Sequence, residues 1–380
     1  MSEIKGFDKK QVPVAIASVA IVIISMICIL IFGKSAGVNA PKHTDKESVV
    51  PSSKEVTSQN NQTKESSNQP ISTTSPPPST TTAPNMDYTV QSAIILQGNR
   101  AMEIYSIAPK SLANYGQVIS TFASRVPKVN VYVLLAPTSV EFYGPESYRT
   151  GNHSQKKGIE LAYSNLKGDN VKSVNVLPEL SNHTGEYIYF RTDHHWTARG
   201  AYYAYRAFAD VAGFTPTELS AHKTGKLEGF VGSMYTYTSA EILQQNPDYV
   251  EYFYPVSSAS GQIFQDASMS NGRPLKIITE NIPGKNKYLV FLSGDNPVEK
   301  IVSDNKNGRK IVVIKESYGN CFAPFLVDNF EEVYVLDPRK GDVNLTSFVK
   351  ANGITDVLFI NYTFVPSNAT YKNALEKMLA

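Results

Sequence analysis

The residues best equipped for chemistry fall in two short stretches far apart in the chain. The first, Thr192-Asp193-His194-His195-Trp196-Thr197, holds two of the six histidines and the only tryptophan. Asp193 stands two residues before His195, and a carboxylate so placed can orient an imidazole and stabilise its protonated form, as in a Ser-His-Asp relay. The second, Lys315-Glu316-Ser317-Tyr318-Gly319-Asn320, follows the apolar run Ile311-Val312-Val313-Ile314, which has the length and β-branching of a buried strand. Strand, serine-bearing turn and helix form the context in which a nucleophilic serine is presented. Each stretch also has a plainer reading. A serine between a strand and a helix is commonly an N-cap, and Asp-His-His can ligate a metal. Extended backbone would point His194 and His195 apart, and the globular part offers no Asp-x-Asp, Cys-x-x-Cys or His-x-x-x-His set to complete a site. The residues alone thus allow a relay of Ser317, His195 and Asp193 beside the capping reading, and no metal and no cofactor are expected.

The rest of the chain must carry these groups. Lysine and arginine number 36 against 34 aspartate and glutamate, a balance that argues against a nucleic-acid partner. Cys28 and Cys321 lie far apart and imply no disulfide framework. Residues 12–32 carry no charge, and such a run spans about 30 Å as a helix, the thickness of a bilayer core. Lys5, Lys9 and Lys10 precede it, so residues 1–11 are expected in the cytoplasm. A secretory signal competes with this reading. The apolar run is long for one, however, and Lys34 follows without a small-residue cleavage site. The expectation is an uncleaved single-pass anchor in the cell membrane. Residues 33–87 are dominated by Ser, Thr, Pro, Asn, Gln and Lys. They cannot bury enough apolar surface to order, and read as a disordered tether.

Residues 88–380 read as one α/β domain. A strand is expected over 93–96, a helix from Pro109 with Leu112, Tyr115, Ile119 and Phe122 on one face, and a strand over 129–135. Thr138 and Ser139 then leave that strand's carboxyl end, where ligands gather in open α/β sheets; turn capping is an equal alternative. Further expectations are a helix over 153–166, strands over 174–177 and 187–190, and a helix over 198–211. An irregular or β-rich insertion is placed at about 234–292, where it could shape a substrate groove. A helix over 322–330 should follow the serine turn. Strands over 332–336 and 356–360 should flank a helix over 345–351, with a last helix over 369–379. This alternation predicts a mainly parallel sheet between helices.

Asp-His-His-Trp before a helix, the late Lys-Glu-Ser-Tyr-Gly-Asn segment, and the stretches VYVLLAPTSVEFY, FVGSMY and SGDNPV resemble the DHHW proteins. These in turn are similar to SGNH-hydrolase-type proteins that O-acetylate alginate and other bacterial exopolysaccharides. The resemblance implies an SGNH-hydrolase-like (flavodoxin-like) fold. It also implies acyl transfer through an acetyl-serine, with Ser317 as nucleophile and His195, rather than His194, as base. It implies a glycan substrate and a multi-pass membrane acyltransferase as partner. Backbone N–H groups around Ser317 and Tyr318 are expected to form the oxyanion hole, with Gly294 and Asn320 or Asn361 as further members. Glu316 stands where Asp is usual, and Asn296 where His often follows Gly-Asp. Transferase and acetylesterase share one acyl-enzyme, and a non-catalytic carbohydrate-binding or scaffold protein of the same fold is the alternative.

Overall fold

The computed structural model describes residues 87–282 and 285–380; the expected cytoplasmic tail, anchor and tether lie outside the described residues. Among the described residues no helix is long and apolar enough to cross a membrane. The domain opens with a three-stranded antiparallel sheet of β1 (Tyr88–Gln91), β2 (Ile94–Gln97) and β3 (Arg100–Glu103). A turn at Gly98-Asn99 closes its second hairpin, with Gly98 at φ 57°.

The main sheet has eight strands. β4 (Asn130–Ala136), β5 (Val171–Ser173), β11 (Lys310–Lys315), β12 (Glu332–Leu336) and β13 (Asp356–Tyr362) run parallel, in the order β5-β4-β13-β11-β12. β10 (Val298–Ser303), β8 (Ala259–Phe264) and β9 (Arg273–Leu275) extend that row antiparallel. Numbered along the chain, the parallel strands lie 2-1-5-3-4. The flavodoxin-like order is 2-1-3-4-5, so the last strand sits centrally, beside the strand that precedes Ser317.

Period-two alternation explains why the parallel strands read as unbroken apolar runs. Val131, Val133, Leu135, Val312, Ile314, Val357 and Phe359 pack on one face with the Pro109–Arg125, Leu345–Asn352 and Ala369–Leu379 helices. Tyr132, Leu134, Val313, Val335, Leu358 and Ile360 pack on the other with Ala201, Tyr205 and Phe208 of the Ala198–Ala212 helix. Strands covered on both faces need apolar residues at every position.

Three expectations are corrected. Residues 174–177 are not a strand: the strand is Val171–Ser173, and Pro178 lies in the first turn of the Leu177–Asn182 helix. Residues 187–190 make only one bridge, Tyr189 to Trp196, because the chain doubles back on itself there. No long helix follows Ser317. A 3-10 turn, Ser317–Asn320, leads to the single turn Ala323–Leu326, with Pro324 where proline is tolerated. In the stretch expected as an irregular or β-rich insertion, β7 (Asp248–Phe253) pairs with the preceding β6 (Thr224–Phe230), β8 and β9 join the main sheet, and two short helices, Ser233–Thr238 and Glu241–Gln245, lie between β6 and β7. The mixed burial of these strands leaves no clean alternation to read.

Candidate active site

The Ser317 side of the site comes from the parallel sheet. β11 delivers Ser317 to the carboxyl edge, and the turn is held from three directions. Glu316 caps it: one carboxylate oxygen accepts the Tyr318 N–H at 2.8 Å, and the other accepts the Tyr362 N–H at the end of β13 at 3.0 Å. A side chain this long spans two strands, which accounts for glutamate at this position. Burial pushes Glu316 up to about 7, against the partial relief of those hydrogen bonds and of Arg339. The buried Trp196 indole donates to the Tyr318 carbonyl at 2.9 Å, so the tryptophan of the first motif braces the turn of the second.

The base's side comes from a loop. Phe190 N–H donates to the His195 carbonyl at 3.3 Å and Thr197 N–H to that of Ile188 at 3.0 Å, closing a tight reversal with Asp193 and His194 at its tip. Thr197 then caps the Ala198–Ala212 helix by accepting from Gly200 N–H at 3.2 Å. The approach to the loop is clamped by buried Asp248, at the start of β7. Its carboxylate accepts from Arg191 N–H at 3.0 Å, and from Thr192 N–H and Oγ1–H, each at 2.7 Å. β3 supports the same segment through Ala101 N–H to the Arg191 carbonyl at 2.9 Å.

These supports bring the expected residues together. His195 Nε2 lies 2.7 Å from Ser317 Oγ, and His195 Nδ1 lies 2.6 Å from Asp193 Oδ1. Asp193 also accepts the His195 N–H at 3.0 Å and, on Oδ2, the Ser233 N–H at 2.8 Å. Burial alone would raise Asp193, but His195, His194 and these hydrogen bonds outweigh it and hold the carboxyl below the usual carboxylate range. It stays an anion facing the imidazole. His194 does not point away as extended backbone would require. Its ring lies 3.8 Å from that of His195, and its Nδ1 meets Ser233 Oγ at 2.7 Å. Burial first, then the neighbouring His195, lower His194 to about 4, which keeps it neutral. Ligand atoms of Asp193, His194 and His195 converge within 4.8 Å. Both His195 nitrogens and the facing Asp193 oxygen already make hydrogen bonds, to Ser317 and to each other, so an ion bound there would compete with those contacts.

The other expected members are placed elsewhere. Tyr318 N–H is spent on Glu316, and the Tyr318 ring stacks on Tyr362 at 4.9 Å. Gly294, at φ 99°, donates its N–H to the Phe291 carbonyl at 3.0 Å. Asn320 donates to Asp295 at 3.0 Å, in a network where Asp295 also meets Lys315 at 2.7 Å and Arg339 at 2.8 Å. Asn361 lies buried between the Tyr115 and Tyr371 hydroxyls, at 2.8 Å from each. Thr138 is bonded through both its N–H and its hydroxyl to Gln155, at 2.8 Å in each case. It is a packing residue, not a lining one. Asn296 joins Glu299 at 2.6 Å and Arg273 at 3.1 Å, a structural tie. Reading the sequence missed Ser233, Asp248 and Tyr288. Ser233 lay in the quoted segment FVGSMY, and Asp248 and Tyr288 within the insertion expected at about 234–292.

In this α/β protein a serine just past a central strand, a histidine within hydrogen-bond reach of it, and an aspartate on the far ring nitrogen lie together. The chain belongs to the DHHW protein family, whose pattern matches residues 42–336. A DHHW family protein from Eubacterium siraeum is 35% identical over 77% of this chain and 98% of its own, with a TM-score of 0.70. Bacillus cereus PatB1, in a structure with a sulfonyl adduct, is 16% identical over 76% of this chain and 99% of its own, with a TM-score of 0.58. The O-acetyltransferase domain of Pseudomonas putida AlgJ is 12% identical over 68% of this chain and 83% of its own, with a TM-score of 0.39. No curated protein matches the chain.

Proposed function

We propose that this protein is a membrane-anchored, extracytoplasmic serine O-acetyltransferase or acetylesterase acting on a cell-envelope or exopolysaccharide glycan. The observation that carries this reading is the continuous Ser317–His195–Asp193 relay, with contacts of 2.7 Å and 2.6 Å. Ser317 Oγ bonds to an acetyl carbonyl carbon as its proton passes to His195 Nε2. The tetrahedral adduct collapses, the carbon–oxygen bond to the leaving alcohol breaks, and that oxygen takes the proton from Nε2. Acetyl-Ser317 then passes its acetyl group to a sugar hydroxyl or to water by the same steps reversed. Asp193 holds the imidazole in the tautomer that accepts on Nε2 and stabilises the imidazolium that forms. The glycan and a multi-pass acyltransferase partner follow from the family resemblance. The anchor and outside location follow from the apolar run at 12–32 and the lysines before it.

Acetylation of the Ser317 peptide after brief exposure to p-nitrophenyl acetate, read by mass spectrometry, tests the reading. Ser317→Ala should abolish the adduct, and His195→Ala should slow turnover on the order of 10⁴-fold. His194→Ala should cost much less. An adduct on another residue, or His194→Ala as the more damaging change, would sink the assignment. Adding candidate glycans then separates transfer from hydrolysis.

A further inference from the structure

We propose that Tyr288 is a positioning residue for this chemistry, stacking on the base to hold its plane; the inference rests on the acyl-transfer reading of the same site. Tyr288 lies in the insertion, in a 3-10 turn over Lys287–Val290, and is 6% exposed. Its ring lies flat on the His195 imidazole, with centroids 4.1 Å apart and planes 13° from parallel. Its hydroxyl donates to the Ser317 carbonyl at 2.9 Å and lies 3.3 Å from Cys321 Sγ. One side chain thus touches the ring that takes the proton and the backbone that carries the nucleophile. The phenol ring is itself held edge-on by Phe291 at 5.3 Å and Phe190 at 6.2 Å. Burial keeps its hydroxyl well above the ordinary value of 10, so it remains a neutral donor.

Two consequences follow. An imidazole tethered through its two nitrogens can still rock about the line joining them, and a ring stacked on its face resists that motion. When the Ser317 proton reaches Nε2 the imidazole becomes cationic, and the electron-rich face of the phenol attracts that charge. Both effects belong to the ring, not to the hydroxyl. A residue acting this way changes kcat more than KM, because the charge it meets exists only along the reaction path.

The test compares full-length Tyr288→Phe and Tyr288→Leu proteins with wild type. Turnover of p-nitrophenyl acetate supplies kcat and KM. The downfield proton resonance of the His195 Nδ1–H, bonded to Asp193, reports the ring's placement without reference to activity. Tyr288→Leu should lower kcat about tenfold with KM within about twofold, and broaden or erase the resonance. Tyr288→Phe should keep the resonance and restore kcat to within about threefold. Tyr288→Met, which can fill the same space, repeats the comparison should the leucine protein not fold. A leucine or methionine protein with wild-type kcat and resonance overturns the inference, as does equal loss in the phenylalanine protein. If wild type forms no acetyl-serine, the acyl-transfer reading fails, while the resonance still decides whether Tyr288 holds the base.

Discussion

Ser317 and His195 meet at one point, but the parts of the molecule that deliver and brace them follow different rules. Ser317 opens the turn that follows β11, a strand flanked by parallel partners on both sides and buried throughout except at its first residue. Strand pairing, which no single side chain controls, carries the chain to that edge, and side chains such as Glu316 and Trp196 only brace the turn that follows. The His195 loop has no such ladder. Asp248 of β7, Ser233 and Tyr288, all distant in sequence, hold it by individual hydrogen bonds and one stacked ring. The nucleophile's half should therefore absorb substitutions that the insertion's half cannot.

The largest effect expected from a single methyl group is at Gly232. A Cβ there would lie 2.3 Å from both Cβ and Oδ2 of Asp193, so the carboxylate must move. Gly232→Ala should cost about 10²-fold in kcat, the scale of a misplacement near 1 Å. Gly185→Ala, where a Cβ meets nothing within 4 Å, serves as the control. Equal rates for the two variants would show that the insertion does not hold Asp193.

A smaller loss is expected where the two halves are stitched together. Trp196→Phe removes the donor to the Tyr318 carbonyl and leaves that buried acceptor short of its partner. Stability should fall by about 1–3 kcal/mol, and turnover by roughly tenfold if the Ser317 turn loosens. Urea midpoints and kcat measure the two effects. A stable variant with unchanged turnover would mean that strand pairing alone fixes the turn.

The smallest effect on turnover, and a distinct one on pH dependence, is expected on the antiparallel strand β10. Burial pushes Glu299 up to about 8 from an ordinary 4.5. Between those values the unfolded chain has released this proton and the folded chain retains it. Glu299 therefore makes stability fall as pH rises through that window, with no further change above it. Glu299→Gln should flatten the decline between about pH 5 and about pH 8 and leave kcat within about twofold. A variant that follows the wild-type pH curve would exclude Glu299 as its source.

Local sequence determined a good deal of this protein. The continuous apolar runs specified β4, β11, β12 and β13, because a strand covered on both faces needs apolar residues at every position. Leu112, Tyr115, Ile119 and Phe122, at helical spacing, are buried along the Pro109–Arg125 helix, and the final helix begins and ends at Ala369 and Leu379 as read. Ser317, His195 and Asp193 were legible from residue type and context. The antiparallel strands were not, since β9 forms the sheet's edge with β8 beside it, and the leading residues of both are exposed. Nor was the order 2-1-5-3-4, because the apolar run of β13 suits any central slot equally well. The partners of the expected oxyanion and substrate-lining residues were not legible for a related reason. Whether an N–H is free depends on which acceptor folding brings to it, and only the tertiary structure places Glu316 on Tyr318, Asp295 on Asn320 and Gln155 on Thr138. Tyr288 is one tyrosine among 22 in sequence. Its place on His195 is decided by the insertion folding back over the sheet's edge, a long-range contact that no local pattern encodes.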